Sequence, residues 1–245
     1  MQQRLPSLLD PPITFAHRGA KALAPDNTIE AFTLALKLGA SGLESDVWVT
    51  SDGVAVLDHD GEIKSGFLRK VPIGALRRDE LPAHIPALTE LFDTCGTGYH
   101  LSLDLKDDLA GPVVIRTIRE RAPELASRTW LCDHDLATLA ALRPLDDDVK
   151  LVNSTKLSRM DEGPERRAAR LAELGIDGVN LRRSDWNGGL VALFHRFERT
   201  AFAWDLQHEH LLRPMLRMGI DAVYSDYVDR MTSAFQAEIG SGGAV

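Results

Sequence analysis

Residues 43–60 read LESDVWVTSDGVAVLDHD, two β-forming runs separated by a Thr50-Ser51-Asp52-Gly53 turn signal. A parallel strand pair needs a crossover of roughly a dozen residues or more, and this connection is far shorter. The two runs must therefore form a hairpin, with Asp-Gly as its turn dipeptide. Elsewhere, from Ile13 almost to the end, short apolar stretches alternate with amphipathic helical segments, the pattern of a parallel α/β protein. Strands are expected at Ile13 to Arg18, Leu43 to Thr50, Val54 to Asp60, Leu101 to Lys106 and Thr129 to Cys132. Others follow at Lys150 to Asn153, Gly178 to Leu181, Phe202 to Leu206 and Ala222 to Ser225. Setting aside the hairpin's return strand leaves eight strands of βα type, and about 250 residues is a usual size for a (β/α)8 barrel. The expected fold is thus α/β, a TIM (β/α)8 barrel with an extra hairpin strand after the second barrel strand. A doubly wound open sheet is the runner-up.

Punctuation along the chain agrees. Leu38-Gly39-Ala40-Ser41-Gly42-Leu43, Leu174-Gly175-Ile176-Asp177-Gly178-Val179 and Met218-Gly219-Ile220-Asp221-Ala222-Val223 share one design. In each, a glycine suited to the left-handed position past a helix end precedes a β-forming run. Asn27 with Glu30 reads as a capping box, Pro112 and Pro164 suit first turns, and Asp135 serves as an N-cap.

The chain has 245 residues, 44% hydrophobic and 26% charged, enough to bury a full core in one domain spanning 1–245, with an ordered part at about 12–234. With 28 basic against 36 acidic residues the formal net charge is -8, which disfavours nucleic acid or an anionic membrane as partner and favours a small molecule. Cys95 and Cys132 lack metal-ligand or disulfide spacing. Met1 to Pro12 has no apolar core of a leader, and no segment approaches the ~20 apolar residues of a membrane span, so the expected location is cytoplasmic. The glycine-rich stretch Gly240 to Ala244 reads as a disordered tail. Oligomeric state is left open.

Side chains alternate along a strand, so Leu101, Leu103 and Leu105 face the helices while Ser102, Asp104 and Lys106 face the other way. Leu43, Val47 and Val49 read as divided between faces, whereas Glu44 and Asp46 share one. Carboxylates crowded in a partly buried mouth are costly without a compensating cation or proton, and a hard divalent ion is the natural partner, with Asp104 a third oxygen donor. If the hairpin turns about Ser51 and Asp52, paired residue numbers sum to about 103, which sets His59 beside Glu44. His17, ending the first strand, arrives next to the same carboxylates.

These residues, His17-Arg18-Gly19, Pro25-Asp26-Asn27-Thr28, Glu44-x-Asp46, Asp52-Gly53 and His59-Asp60, resemble the glycerophosphodiester phosphodiesterase signature in order and spacing. The likeness continues through Ile85-Pro86-Ala87-Leu88-Thr89-Glu90, Leu103-Asp104-Leu105-Lys106, Trp204 and Ser225-Asp226. It implies His17 and His59 as acid and base, Glu44, Asp46 and Asp104 as ligands of one divalent cation, Mg²⁺ or Ca²⁺, and Arg18 and Lys106 as phosphate contacts. Trp204 would line the substrate end. The implied reaction yields glycerol 3-phosphate and an alcohol. The family usually has glutamate where Asp104 stands, a departure that bears on subfamily and substrate, and lysolipid cleavage of the phospholipase D type is an alternative. The short Gly61 to His84 stretch leaves little room for an inserted subdomain and points to an open site.

Two rivals are weaker. A Schiff-base lyase built on Lys106 needs a depressed lysine pKa, and the carboxylates around it favour the ammonium instead. A noncatalytic phosphodiester-binding barrel rests only on the Asp104 substitution. Asp133-His134-Asp135 and the His208, Glu209, His210 cluster read as strand-end and helix-start residues, and Trp48, Trp130 and Trp186 as packing.

Overall fold

The computed structural model describes residues 4–65 and 69–240, and residues 241–245, where most of the expected glycine-rich tail falls, lie outside them. Eight parallel strands form the barrel: β1 (Ile13–Ala16), β2 (Gly42–Val49), β6 (His100–Leu105), β7 (Thr129–Asp133), β8 (Lys150–Ser154), β9 (Gly178–Arg182), β10 (Thr200–Trp204) and β11 (Ala222–Ser225). Each neighbour in the ring is hydrogen-bonded to the next, and the β1 pairings with both β11 and β2 close it. Around it lie α1 (Ile29–Lys37), α2 (Leu88–Cys95), α3 (Ala110–Arg121), α4 (Leu136–Leu142), α5 (Pro164–Glu173), α6 (Gly188–Arg196), α7 (Glu209–Arg217) and α8 (Val228–Ile239). The closed barrel with one strand outside it is the expected architecture.

That outer strand is β3 (Ala55–Leu57), antiparallel to β2 with Val47 opposite Leu57, Trp48 opposite Val56 and Val49 opposite Ala55. The hairpin is therefore centred on Asp52 rather than between Ser51 and Asp52, so paired numbers sum to 104 and each pairing shifts by one residue. Thr50 explains the shift: its amide donates to the Val54 carbonyl at 3.0 Å and its hydroxyl to Asp52 at 2.6 Å, while Gly53 takes φ +80 to turn the chain. A shift of one residue reverses the faces. By extension His59 falls opposite Ser45 rather than Glu44, and the ladder stops at Leu57 before reaching it.

The Gly61 to His84 stretch holds a small hairpin of β4 (Glu62–Ser65) and β5 (Arg69–Pro72) followed by two short 3₁₀ turns, and no subdomain. Helix stops behave as the repeats indicate, with Gly39, Gly175 and Gly219 all at positive φ. One cap differs: Thr28, not Asn27, receives the Ala31 amide at the start of α1. Asn27 is instead buried at φ +55, with its carbonyl oxygen accepting the Ser45 hydroxyl at 2.7 Å. Pro164 opens α5 and Asp135 caps α4, accepting the Thr138 amide.

Two apolar layers hold the barrel. Inside, Phe15 stacks on Tyr224 at 4.9 Å and Trp130 meets Phe202 edge-on at 4.9 Å, with Ile13, Val152 and Ala222 filling the rest. Gly42 is required beneath this layer, because a Cβ there would sit 2.5 Å from the Phe15 ring. Outside, Leu101 and Leu103 pack against the helices together with Leu43, Val47 and Val49, which share one face because all are odd-numbered, not two. Trp186 is buried, as is Trp130, and Trp48 packs half-buried beside β3. Residues 5–9 pack across the strands' N-terminal end, where the Leu8 and Leu9 amides donate to Asp221, so the folded part begins before residue 12. Among the described residues no helix is long and apolar enough to cross a membrane.

Candidate active site

The C-terminal ends of the barrel strands bring the charged residues together, the end where barrels of this type place their chemistry. The β1–β11 register sets Ala16 opposite Ser225, so the residues just past each strand, His17 and Asp226, are neighbours. His17 Nδ1 lies 2.6 Å from an Asp226 carboxylate oxygen, and its Nε2 lies 3.9 Å from Glu44 Oε2. Burial works to lower the His17 pKa, but the Glu44 charge and the Asp226 hydrogen bond outweigh it and leave the value raised. After His17 the backbone turns sharply, with Arg18 at φ +53 and Gly19 at φ +79. Gly19 lies against the Ala31 backbone, where an added Cβ would come within 2.7 Å. This turn aims the Arg18 amide at Glu44 Oε2, 2.9 Å away.

Glu44 and Asp46 project from the same face of β2, and the parallel register with β6 sets Asp46 beside Asp104. Lys106 bridges them, its Nζ 3.0 Å from Asp46 Oδ1 and 3.0 Å from Asp104 Oδ2. Arg18 Nε stands 3.2 Å from Asp46 Oδ2, and neither atom has hydrogen-bond geometry to any partner. Burial pushes the Glu44 carboxyl up to about 7, with His17 opposing and the Asp46 and Asp104 charges adding to the rise. Asp104 is raised by burial against the pull of Lys106. Although burial works the other way, Asp104 and Asp46 hold Lys106 above its ordinary value, which removes the nucleophilic amine a Schiff-base lyase needs.

His59 stands apart from this cluster. It lies past the end of β3, its side chain is 48% exposed, and Nδ1 contacts Asp60 at 2.8 Å. Asp58 fixes that turn by accepting the Gly61 amide on its carboxylate and the Trp48 indole N–H on its carbonyl. The expected convergence of two histidines and three carboxylates is therefore partial: His17, Glu44, Asp46 and Asp104 gather with Arg18 and Lys106, and His59 sits at the rim.

Among the described residues no three His, Cys, Asp or Glu side chains are grouped as a ready metal cage. Lys106 and Arg18 take up the charge of Asp46 and Asp104. The donor chemistry nonetheless fits a hard divalent ion: three carboxylates on adjoining strands, one with a buried oxygen that lacks a hydrogen-bond partner.

A cavity of about 390 Å³ opens beside the cluster, with His17, Glu44 and Asp104 on one wall and Trp204, Asn180 and Lys156 on another. Trp204 is among the residues that line it. Residues not singled out from sequence also line it: Asn180, Lys156 and Arg159, from the ends of β8 and β9. Asp226 was visible only as part of a motif, and its position one residue past the last strand is the signal that marks it as the partner of His17.

Fold and site together define a (β/α)8 barrel with a cluster of carboxylates and cations beside a cavity at the C-terminal ends of its strands. Residues 17–100 match the model of the glycerophosphoryl diester phosphodiesterase family. A Bacillus subtilis (strain 168) protein named for glycerophosphodiester phosphodiesterase, YhdW, is 25% identical over 232 residues, 87% of this chain and 94% of the relative. A Silicibacter pomeroyi structure named for glycerophosphoryl diester phosphodiesterase superposes with a TM-score of 0.82 at 22% identity, covering 97% of this chain and 96% of that one. An Oleispira antarctica phosphodiesterase, solved with the product sn-glycerol-3-phosphate, gives 0.80 at 22% identity, covering 92% and 97%. The chain therefore has the fold of the glycerophosphodiester phosphodiesterases and is similar in sequence to proteins of that name along most of its length.

Proposed function

We propose that the protein hydrolyses glycerophosphodiesters to glycerol 3-phosphate and an alcohol, using one divalent cation and the histidines His17 and His59. The observation that carries this reading is the juxtaposition of an oriented imidazole, His17 on Asp226, with Glu44 and Asp104 at the wall of one cavity, and Asp46, Arg18 and Lys106 in contact with that group. A phosphodiester entering that cavity presents nonbridging oxygens whose charge must be offset as the new bond forms. Arg18 and Lys106 offer donors to those oxygens. Glu44, Asp46 and Asp104 would hold Mg²⁺ or Ca²⁺, which when bound supplies further charge neutralisation at the phosphoryl group.

His17 moves a proton at Nε2. With Nδ1 bonded to Asp226, the neutral ring keeps its N–H there and leaves the Nε2 lone pair toward the cavity, so the aspartate fixes both tautomer and orientation. His59, oriented by Asp60 at the rim, serves as the opposite proton carrier, one group deprotonating the attacking hydroxyl and the other protonating the departing alkoxide. The attacking hydroxyl belongs to water or to the substrate's own glycerol, the second route passing through a cyclic phosphate.

The test is release of glycerol 3-phosphate from glycerophosphocholine and glycerophosphoethanolamine, with EDTA, Mg²⁺ and Ca²⁺ run in parallel. Release that stops in EDTA and returns with one ion is the expected result. Release undiminished by EDTA refutes the metal, and silence on both substrates moves the reading to lysolipids.

A further inference from the structure

The wall opposite the carboxylates carries charge of the other sign. At the end of β8 and just beyond it, Ser154, Thr155, Lys156 and Arg159 line the cavity, and Lys156 and Arg159 make no ion pair among the described residues. The acidic residue on this side, Asp205, is already paired, 2.9 Å from Arg182 and 3.7 Å from Arg183. Asp185, from the connection after β9, accepts the Leu157 amide at 3.0 Å, and Glu162, farther along the same loop as Arg159, is paired with Arg167 at 2.6 Å. Asn180 lies at the base of the same wall, only 7% exposed, with Nδ2 reaching the Ser154 hydroxyl at 3.4 Å and Oδ1 buried without a partner. An orphaned buried acceptor calls for a donor from a ligand.

This wall is unsuited to a quaternary ammonium. Such a group needs an open aromatic face or an uncompensated carboxylate, whereas the Arg182 guanidinium stands 5.9 Å from the centroid of Trp204 and Asp205 is neutralised. The chemistry that matches is a hydroxyl for Asn180 Oδ1 and an anion for Lys156 and Arg159.

We infer that the alcohol half of the preferred glycerophosphodiester is a polyol carrying a second, phosphomonoester group, held by Lys156, Arg159 and Asn180. The inference rests on the phosphodiesterase reading above and names the substrate class of that same cavity. The scissile diester faces His17 and the carboxylates, and the second phosphate crosses the cavity to the two cations. Lys156 and Arg159 are exposed, so their attraction is screened by salt.

The experiment compares a matched pair, glycerophosphoinositol and its ring-phosphorylated derivative, by turnover and by titration calorimetry, in wild type and in the Lys156→Ala/Arg159→Ala double variant. For wild type kcat/KM should favour the phosphorylated member on the order of tenfold, mostly through KM, since charge-assisted contacts add to binding. The preference should collapse in the double variant and shrink as ionic strength rises. Equal turnover and affinity for the pair, or a preference that survives the double variant, overturns the subsite. Selective binding without cleavage of either member keeps the subsite and overturns the phosphodiesterase reading, and neither binding nor cleavage overturns both.

Discussion

His100 opens β6 at the end of the barrel opposite the active site, and it ties the stability of the fold to pH. Burial, reinforced by the nearby Arg128 guanidinium, pushes its pKa from 6.5 down to about 4. Trp130 Nε1–H lies 3.3 Å from His100 Nδ1, and an indole can only donate, so the ring must be an acceptor there and hence neutral. In the unfolded chain the imidazole takes up a proton as pH falls past 6.5, while the folded chain refuses it until about 4. Over that window the unfolded state binds more protons and folding stability is lost as pH falls; above it the residue contributes nothing to the pH dependence. At about 1.36 kcal/mol per pH step the full loss approaches about 3 kcal/mol below pH 4, of which about 2 is reached by pH 5. Partial exposure of the ring trims this to about 1–2 kcal/mol at pH 5. For a chain of this size that is a fall in Tm of roughly 3–6 °C. The assay is thermal unfolding at pH 7.5 and pH 5 for wild type and for His100→Gln, which keeps an acceptor for Trp130 but does not titrate. Wild type should lose roughly 3–6 °C more than the variant between the two conditions, the carboxylates common to both cancelling. Parallel losses in the two proteins would refute the reasoning.

At the site, His17→Ala or His59→Ala should lower kcat by roughly 10²- to 10⁴-fold with the circular dichroism spectrum retained; near wild-type turnover in either removes that residue from proton transfer. Asp226→Asn keeps the side-chain shape but weakens the hold on His17, and should lower kcat roughly 10- to 100-fold with little change in KM. A change confined to KM would instead place Asp226 in substrate binding. Lys106→Gln leaves Asp46 and Asp104 facing each other without their shared ammonium, at a cost of about 3 kcal/mol. In EDTA its Tm should fall by roughly 6–12 °C, and Mg²⁺ or Ca²⁺ should restore part of the loss. Failure of either ion to do so argues against the three carboxylates as its ligands.

Much of the barrel was legible because many of its boundaries are set by chemistry that acts locally: a glycine at positive φ precedes β2, β6, β9 and β11, and a side-chain cap opens α1, α4 and α6. The expected and observed strand centres coincide for that reason. The hairpin register was not legible to the residue, since a single hydroxyl, that of Thr50, helps set a turn that shifts the pairing by one residue and takes His59 away from Glu44. Asn27 misled for a related reason: it carries a capping side chain, yet its left-handed backbone hands that task to Thr28 and frees it to hold Ser45. The carboxylates were visible because period-two alternation alone places Glu44 and Asp46 on one face. Lys156, Arg159 and Asn180 carried no motif, and only the curvature of the closed sheet brings them across from His17.

The contact between His17 and Asp226 joins residues 209 positions apart, across the seam where the first strand meets the last. In chain order β11, whose last residue is Ser225, is made more than two hundred residues after its partner β1. Seven-eighths of a barrel can assemble in that interval without its imidazole being aligned. Alignment of the His17 ring by Asp226 thus waits on ring closure itself, the meeting of the two ends of the sheet.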